Sequence, residues 1–165
     1  MREDDRYYNY WIKWSLLYGF LCLIGSIGLI YRAIETCFTA SQDDLFINMF
    51  VNAYVLGFAL SFGIGFLLNA CKCYYKRDGF FMADHELNLL QKIGKIRGIQ
   101  IWVPIFVYAV NIIICAIVLW ALQDKSEGVE FMFLRHGVVL LAVGVLVVIL
   151  CKYLDKRKVK NASIK

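Results

Sequence analysis

Four long apolar stretches separated by charged segments set the pattern of this chain. The clearest begins at Leu45; Asp44 stands before it, and no charged residue appears again until Lys72. A run of about 20 apolar residues at ~1.5 Å per residue already matches the hydrocarbon core of a bilayer. The pattern therefore predicts a membrane-spanning helix over 45–69, with others over 11–31, 99–122 and 131–153. Arg135 and His136 sit one turn inside the fourth, where a long basic side chain reaches the interface at little cost.

The longest connection, 71–98, predicts a short interfacial helix over 84–97. Asp84 suits its N-cap, and Leu89, Leu90, Ile93 and Ile96 fall on one side. Asn88, Gln91, Lys92 and Lys95 fall on the other, and with Arg97 they make a basic amphipathic element of the kind that rests among headgroups. Gly79 is placed for the bend before it. The expected fold is all-α: a single polytopic domain over 1–165, a four-helix transmembrane bundle with one short cytoplasmic interfacial helix.

Spacing within the spans marks their faces. Ala53, Gly57, Ser61 and Gly65 recur every fourth residue, a ridge of small side chains along which another backbone can approach. Ser15, Gly19, Cys22 and Ser26 form a second strip on the first span, a natural counterpart for that ridge. Asn48 and Asn52 share a face of the second span, and polar groups there usually bond a partner helix. On the third span Gln100, Pro104, Tyr108, Asn111 and Cys115 gather on one face, which is expected to point inward. Pro104 also deprives the Gln100 carbonyl of its helical donor, so a kink is expected.

Composition agrees with this pattern. Hydrophobic residues make up 61% of the 165, charged ones 19%, and the mean hydropathy is +0.62, more apolar surface than a soluble domain of this size could bury. The start, MREDDRYYNYWIKW, mixes acids and bases and is followed by no small-residue cleavage site, so the first span is expected to be retained. Tyr7, Tyr8, Tyr10, Trp11 and Trp14 cluster where an interfacial aromatic belt belongs.

Charge orients the chain. Arg2, Arg6 and Lys13 lie before the first span, and Lys72, Lys76, Arg77, Lys92, Lys95 and Arg97 lie in the middle loop. Lys152, Lys156, Arg157, Lys158, Lys160 and Lys165 lie at the end, against only Arg32, Lys125 and Arg135 elsewhere. The positive-inside rule then puts both termini and the middle loop in the cytoplasm. Cys37 is the one cysteine of the outer loops, so a disulfide within one chain is not expected there; Cys71, Cys73 and Cys151 approach the reducing side. Their CxC spacing is a weak metal pattern and no metal site is assigned; reversible acylation is a second reading. The acceptor sequence at Asn161 falls on the cytoplasmic side and is discounted.

No Asp, Glu, Lys or Arg lies in the middle of any span, where proton-coupled transporters and voltage sensors need one. HExxH, GxSxG, Walker and CxxC motifs are missing, so neither catalytic residues nor a cofactor are assigned and no enzyme is expected.

Lys76-Arg77-Asp78-Gly79-Phe80-Phe81, followed by Leu90-Gln91-Lys92-Ile93-Gly94 and an apolar span, resembles the small bacterial four-span proteins of the domain of unknown function 2975 family. In that family a basic-Gly-aromatic turn and a Leu/Ile-Gly helix end join the middle spans. The likeness covers about 30 residues, and the chain departs from the family in its basic tail and short first outer loop. It implies a bacterial cytoplasmic membrane and no particular activity. The expected function is a non-catalytic membrane module acting through helix–helix contacts as subunit, scaffold or regulator; the alternative is an oligomeric pore or a permeabilising effector. The expected partners are the lipid bilayer and either another copy or another membrane protein, not nucleic acid.

Overall fold

The computed structural model describes residues 3–39, 42–122 and 129–162, which are helical apart from short turns and contain no strand. The helices are α1 (Glu3–Thr39), α2 (Gln42–Val51), α3 (Gly57–Tyr74), α4 (Leu89–Lys95), α5 (Ile99–Leu122) and α6 (Val129–Ala162). A π-helical turn, Asn52–Leu56, joins α2 to α3, and a second, Tyr75–Gly79, extends α3. Residues 42–79 are thus one continuous rod. Four helices are long and apolar enough to cross a membrane: Asp5–Thr39, Ile47–Gly79, Ile99–Leu122 and Phe131–Arg157.

The first of these outruns the span expected at 11–31. Residues 32–39, expected as part of a connection, continue α1. Thr36 Oγ1 donates to the Arg32 carbonyl at 2.8 Å and Thr39 Oγ1 to the Glu35 carbonyl at 2.9 Å. These polar side chains satisfy themselves against the helix they sit on, so polarity does not end it. The connection expected over 123–130 lies outside the described residues up to 128.

The long helices stand in a row instead of closing on one another. The α1 helix packs along α3, α3 along α5 and α5 along α6, while α1 and α6 make no comparable contact among the described residues. Arg77 at the end of the second rod donates to Asn9 near the start of α1. Arg97 Nη1, ahead of α5, donates to Asp155 Oδ1 near the end of α6 at 2.8 Å. These contacts define one end of the row, here the basic end. The main apolar core lies at the other, where Leu45, Met49 and Ala53 meet Ile112, Cys115, Ala116 and Leu119, with Phe133 of α6 closing the third side.

The two strips of small residues do not face each other. Gly57 lies against Tyr108 and Asn111, and Gly65 against Pro104, so the ridge on the second rod meets α5. The strip on α1 meets a different face: Gly19 lies against Gly63 and Leu67, and Ser15 Oγ accepts from Asn69 Nδ2 at 2.9 Å. Four-residue spacing identifies a close-packing face without naming its neighbour, and Gly63, outside the ridge, supplies the second face.

The short helix expected over 84–97 is shorter, Leu89–Lys95, and rests its Gln91 side on the protein. Its N-cap is Asn88, whose Oδ1 accepts from the Gln91 N–H at 2.9 Å while Gln91 Oε1 accepts from the Asn88 N–H at 3.0 Å. That reciprocal capping box fixes the start four residues beyond Asp84. Gln91 is 4% exposed and faces the protein, whereas Leu89 is 73% exposed. Gly94 sets this orientation, because a Cβ there would overlap the backbone of Cys71 and Lys72. The left-handed backbone turn in this region falls at Gly98, φ 70°, just ahead of α5, and not at Gly79.

Candidate functional site: a cleft between α3 and α5

Below the far-end core a cleft of about 440 Å³ opens beside the line along which the second rod and α5 touch. One wall comes from α3. Phe58, Phe62 and Phe66 repeat every fourth residue and so form a file beside the small ridge. The Phe58 and Phe62 rings stack with centroids 4.1 Å apart and planes 29° apart, and Phe62 and Phe66 are 6.2 Å apart. Phe58 and Phe62 are each about half exposed, so they border an opening on the flank of the row. The facing wall is Gln100, Pro104, Ile105 and Tyr108 of α5, and Asn69 sits toward the basic end.

The floor is the small ridge itself. A Cβ on Gly65 would stand 3.1 Å from Pro104 Cγ, so the helices touch there and the space opens beside the contact. Ser61 is 6% exposed, and its Oγ has no hydrogen-bond partner among the described residues; neither has Gln100 Oε1. No charged side chain lines the cleft. It therefore offers nothing to hold an ion. The smaller hollow of about 220 Å³ at Ala116, Ile117, Trp120, Phe131 and Leu134 is apolar throughout.

The intramembrane face expected on α5 does turn toward the second rod, and its members divide. Gln100, Pro104 and Tyr108 line the cleft. Asn111 Nδ2 instead donates to the carbonyls of Asn52 at 3.0 Å and Ala53 at 3.1 Å. These carbonyls belong to the π-helical turn, whose widened ladder leaves lone pairs within reach of a neighbour. Asn52 is buried, Asn48 is half-buried one turn away, and Cys115 joins the core. Nearby, Tyr54 Oη and His136 Nδ1 share a hydrogen bond of 3.0 Å, a tie between the second rod and α6.

Around the basic end the charged side chains pair with one another. Arg77 Nε donates to Asp78 Oδ1 at 2.7 Å, and its guanidinium lies 5.3 Å from the Tyr74 ring centroid. Of the basic residues expected on the interfacial helix, Lys92 is exposed, Lys95 bonds Asp84, and Arg97 reaches Asp155. The Lys95 hydrogen bond holds the Asp84 carboxyl below its ordinary pKa, and the same bond raises Lys95. Among the described residues no group of three or more His, Cys, Asp or Glu side chains comes together.

Sequence reasoning singled out Ser61 and Gly65 as packing residues and Pro104 and Tyr108 as part of an inward polar face, and missed the cleft they border. The overlooked signal is the file of Phe58, Phe62 and Phe66, offset by one residue from the small ridge: bulky and absent side chains alternate around the helix and leave a step between them. No family model, curated protein or solved structure matches the chain, so nothing from that side bears on the resemblance of its middle loop.

Proposed function

We propose that the chain is a small integral membrane protein without catalytic chemistry, working through helix–helix contacts as a subunit, scaffold or regulator. Four helices of spanning length and apolarity support insertion. The concentration of Lys and Arg at the basic end supports cytoplasmic termini by the positive-inside rule. The likeness to the bacterial four-span family favours a bacterial cytoplasmic membrane.

The observation that carries this reading is the open row. The outer helices α1 and α6 each have a single extended neighbour. On α1, Gly25 and Gly28 meet nothing within 4 Å among the described residues. In lipid, where apolar side chains gain nothing by leaving their surroundings, close backbone approach at small residues is a main drive for helix association. The amides favour this reading over a pore: Asn111 and Asn69 bond neighbouring helices of the same chain, so they do not line a water path.

The test is the mass of the protein extracted from its own membrane in mild detergent. A complex larger than one chain is expected, and Gly28→Leu should release the lone chain without lowering its unfolding temperature. A parent that is always a lone chain would overturn the reading. Steady ion conductance in liposomes would overturn it in favour of the oligomeric pore. On intact cells an impermeant thiol reagent should reach Cys37 and spare Cys71 and Cys73; the reverse pattern sinks the orientation.

A further inference from the structure

At the basic end three segments meet, pinned to one another by glycines. Gly94 of α4 stands so close to α3 that a Cβ there would overlap the backbone of Cys71 and Lys72. Four residues on, a Cβ at Gly98 would lie 2.5 Å from Cys151 Sγ of α6. Arg97 falls between these two contacts. Its carbonyl accepts from Trp102 Nε1 at 3.4 Å, and its Nη1 donates to Asp155 of α6. Lys72, Arg97 and the α6 turn at Cys151 therefore border one joint, and Lys76 stands one turn beyond Lys72 on the second rod.

The charges at this joint do not balance. Asp78 pairs with Arg77, Asp84 with Lys95 and Asp155 with Arg97. Among the described residues no carboxylate pairs with Lys72, and the charged side chains within electrostatic reach of it are two further cations, Lys76 and Arg97. Lys72 is also half-buried, whereas Lys76, Lys92, Lys152 and Lys156 are exposed. A cation drawn out of water beside like charges and without a counter-ion is costly. Arg97 is bonded to Asp155 through Nη1, and a guanidinium carries five N–H donors, so that pair does not exhaust it.

The anion that suits the joint follows from its depth. Lys72 is the first charged residue after the uncharged run from Leu45, which places it where hydrocarbon gives way to headgroups. The acceptor at that depth is a lipid phosphate, and basic pockets between helices on the cytoplasmic side suit such groups. A zwitterionic lipid brings its own cation with the phosphate. An acidic one brings the net charge that the joint lacks.

We propose that the joint of α3, α6 and the turn before α5 binds the headgroup phosphate of an acidic phospholipid from the cytoplasmic leaflet. Lys72 holds the phosphate, with Lys76 and Arg97 beside it. The proposal rests on the reading of the chain as inserted with its basic end inward, and is independent of whether the chain works alone or in an assembly.

Native mass spectrometry of the purified chain in mild detergent tests it, with dioleoyl phosphatidylglycerol and dioleoyl phosphatidylcholine as probes. The first phosphatidylglycerol should bind about fivefold more tightly or better, the effect of one basic residue near an anionic surface. Lys72→Met keeps the unbranched stem and should weaken phosphatidylglycerol about fivefold while leaving phosphatidylcholine unchanged. Lys92→Met makes the same change in net charge away from the joint, and screening should keep its effect below about twofold. If Lys72→Met does not fold, Lys76→Met, at an exposed position, should show the same selective loss. Equal affinity for the two lipids overturns the proposal. Equal losses in Lys72→Met and Lys92→Met mark a diffuse basic field and also overturn it. Displacement of the lipid by millimolar glycerol phosphate assigns the joint to a soluble anion and overturns the lipid source. Retention in carbonate-washed membranes tests insertion separately, so a chain that stays inserted but shows no phosphatidylglycerol preference loses this proposal alone.

Discussion

The two halves of the interface between the second rod and α5 are built from the same residue pattern and end in different states. In the far half Ala53, Ile112 and Leu119 are wholly buried, and the Asn111 amide is bonded to two carbonyls. In the half nearer the basic end the helices touch at Gly65 and Pro104, yet a cleft opens beside them with Ser61 and Gln100 unmet. The difference lies in a third helix. At the far end α6 reaches across, with Phe133 packed edge-on to Tyr54 at 5.7 Å and His136 bonded to the Tyr54 hydroxyl. Farther along, α6 follows only α5, where Gly144 faces Phe106. Two helices meeting along one line leave open flanks; a third is needed to close them.

Removing the third helix's contribution is the most severe way to break this contrast. Phe133 is fully buried, so Phe133→Ala leaves a cavity among three helices and should cost roughly 3 kcal/mol. Phe62 is half exposed at the cleft rim, and Phe62→Ala should lose only its stacking and partial burial, about 1 kcal/mol. Denaturant unfolding in micelles measures both. Equal losses would mean that the far half is no better packed than the cleft.

The polar groups should separate the halves next, and in opposite directions. Asn111→Ala removes two hydrogen bonds and exposes the π-turn carbonyls to hydrocarbon, a loss of about 1 kcal/mol at ~0.6 kcal/mol for each bond in a membrane setting. Gln100→Leu removes an oxygen that has no partner among the described residues, so it should be neutral or mildly stabilising. A destabilising Gln100→Leu would show that its oxygen is satisfied after all, and the contrast would collapse.

The sequence already carried the four long helices, because uninterrupted apolar runs of this length have few other solutions. The inward face of α5 was legible for a similar reason: five unusual residues at helical spacing can share only one side. Partnership was not. The strip at Ser15 and Gly19 and the ridge at Gly57 and Gly65 are alike in composition, and only the packing order of the helices assigns them to different neighbours. The π-helical turn at Asn52–Leu56 leaves no local signature, since it is sustained by Asn111, 55 or more residues away. At Asp84 a plausible cap lost to the reciprocal pair of Asn88 and Gln91, a case where two mutual bonds outweigh one. The cleft escaped because each bordering residue had a simpler explanation by itself.

The smallest expected effect lies at the basic end, where the open half is bordered by exposed charge instead of core. Asp84 and Lys95 pair across the turn ahead of α4, and their shared hydrogen bond depresses the carboxyl and raises the ammonium. The depressed Asp84 contributes order that is complete above its ordinary value of 3.8 and fades as pH falls through the lower folded value. The raised Lys95 contributes order that is complete below 10.5 and fades as pH rises through its higher folded value. Between those limits the tie should be insensitive to pH. Both groups are exposed, so its contribution to stability is small, and it should leave the Phe133 core untouched at either extreme. A carbon-13 titration of the Asp84 carboxyl in micelles should give a midpoint below 3.8, and Lys95→Met should return it to that value. A parent midpoint already at the ordinary value would mean that the turn is not held by this pair, and that the border of the open half rests on Gly94 and the capping box alone.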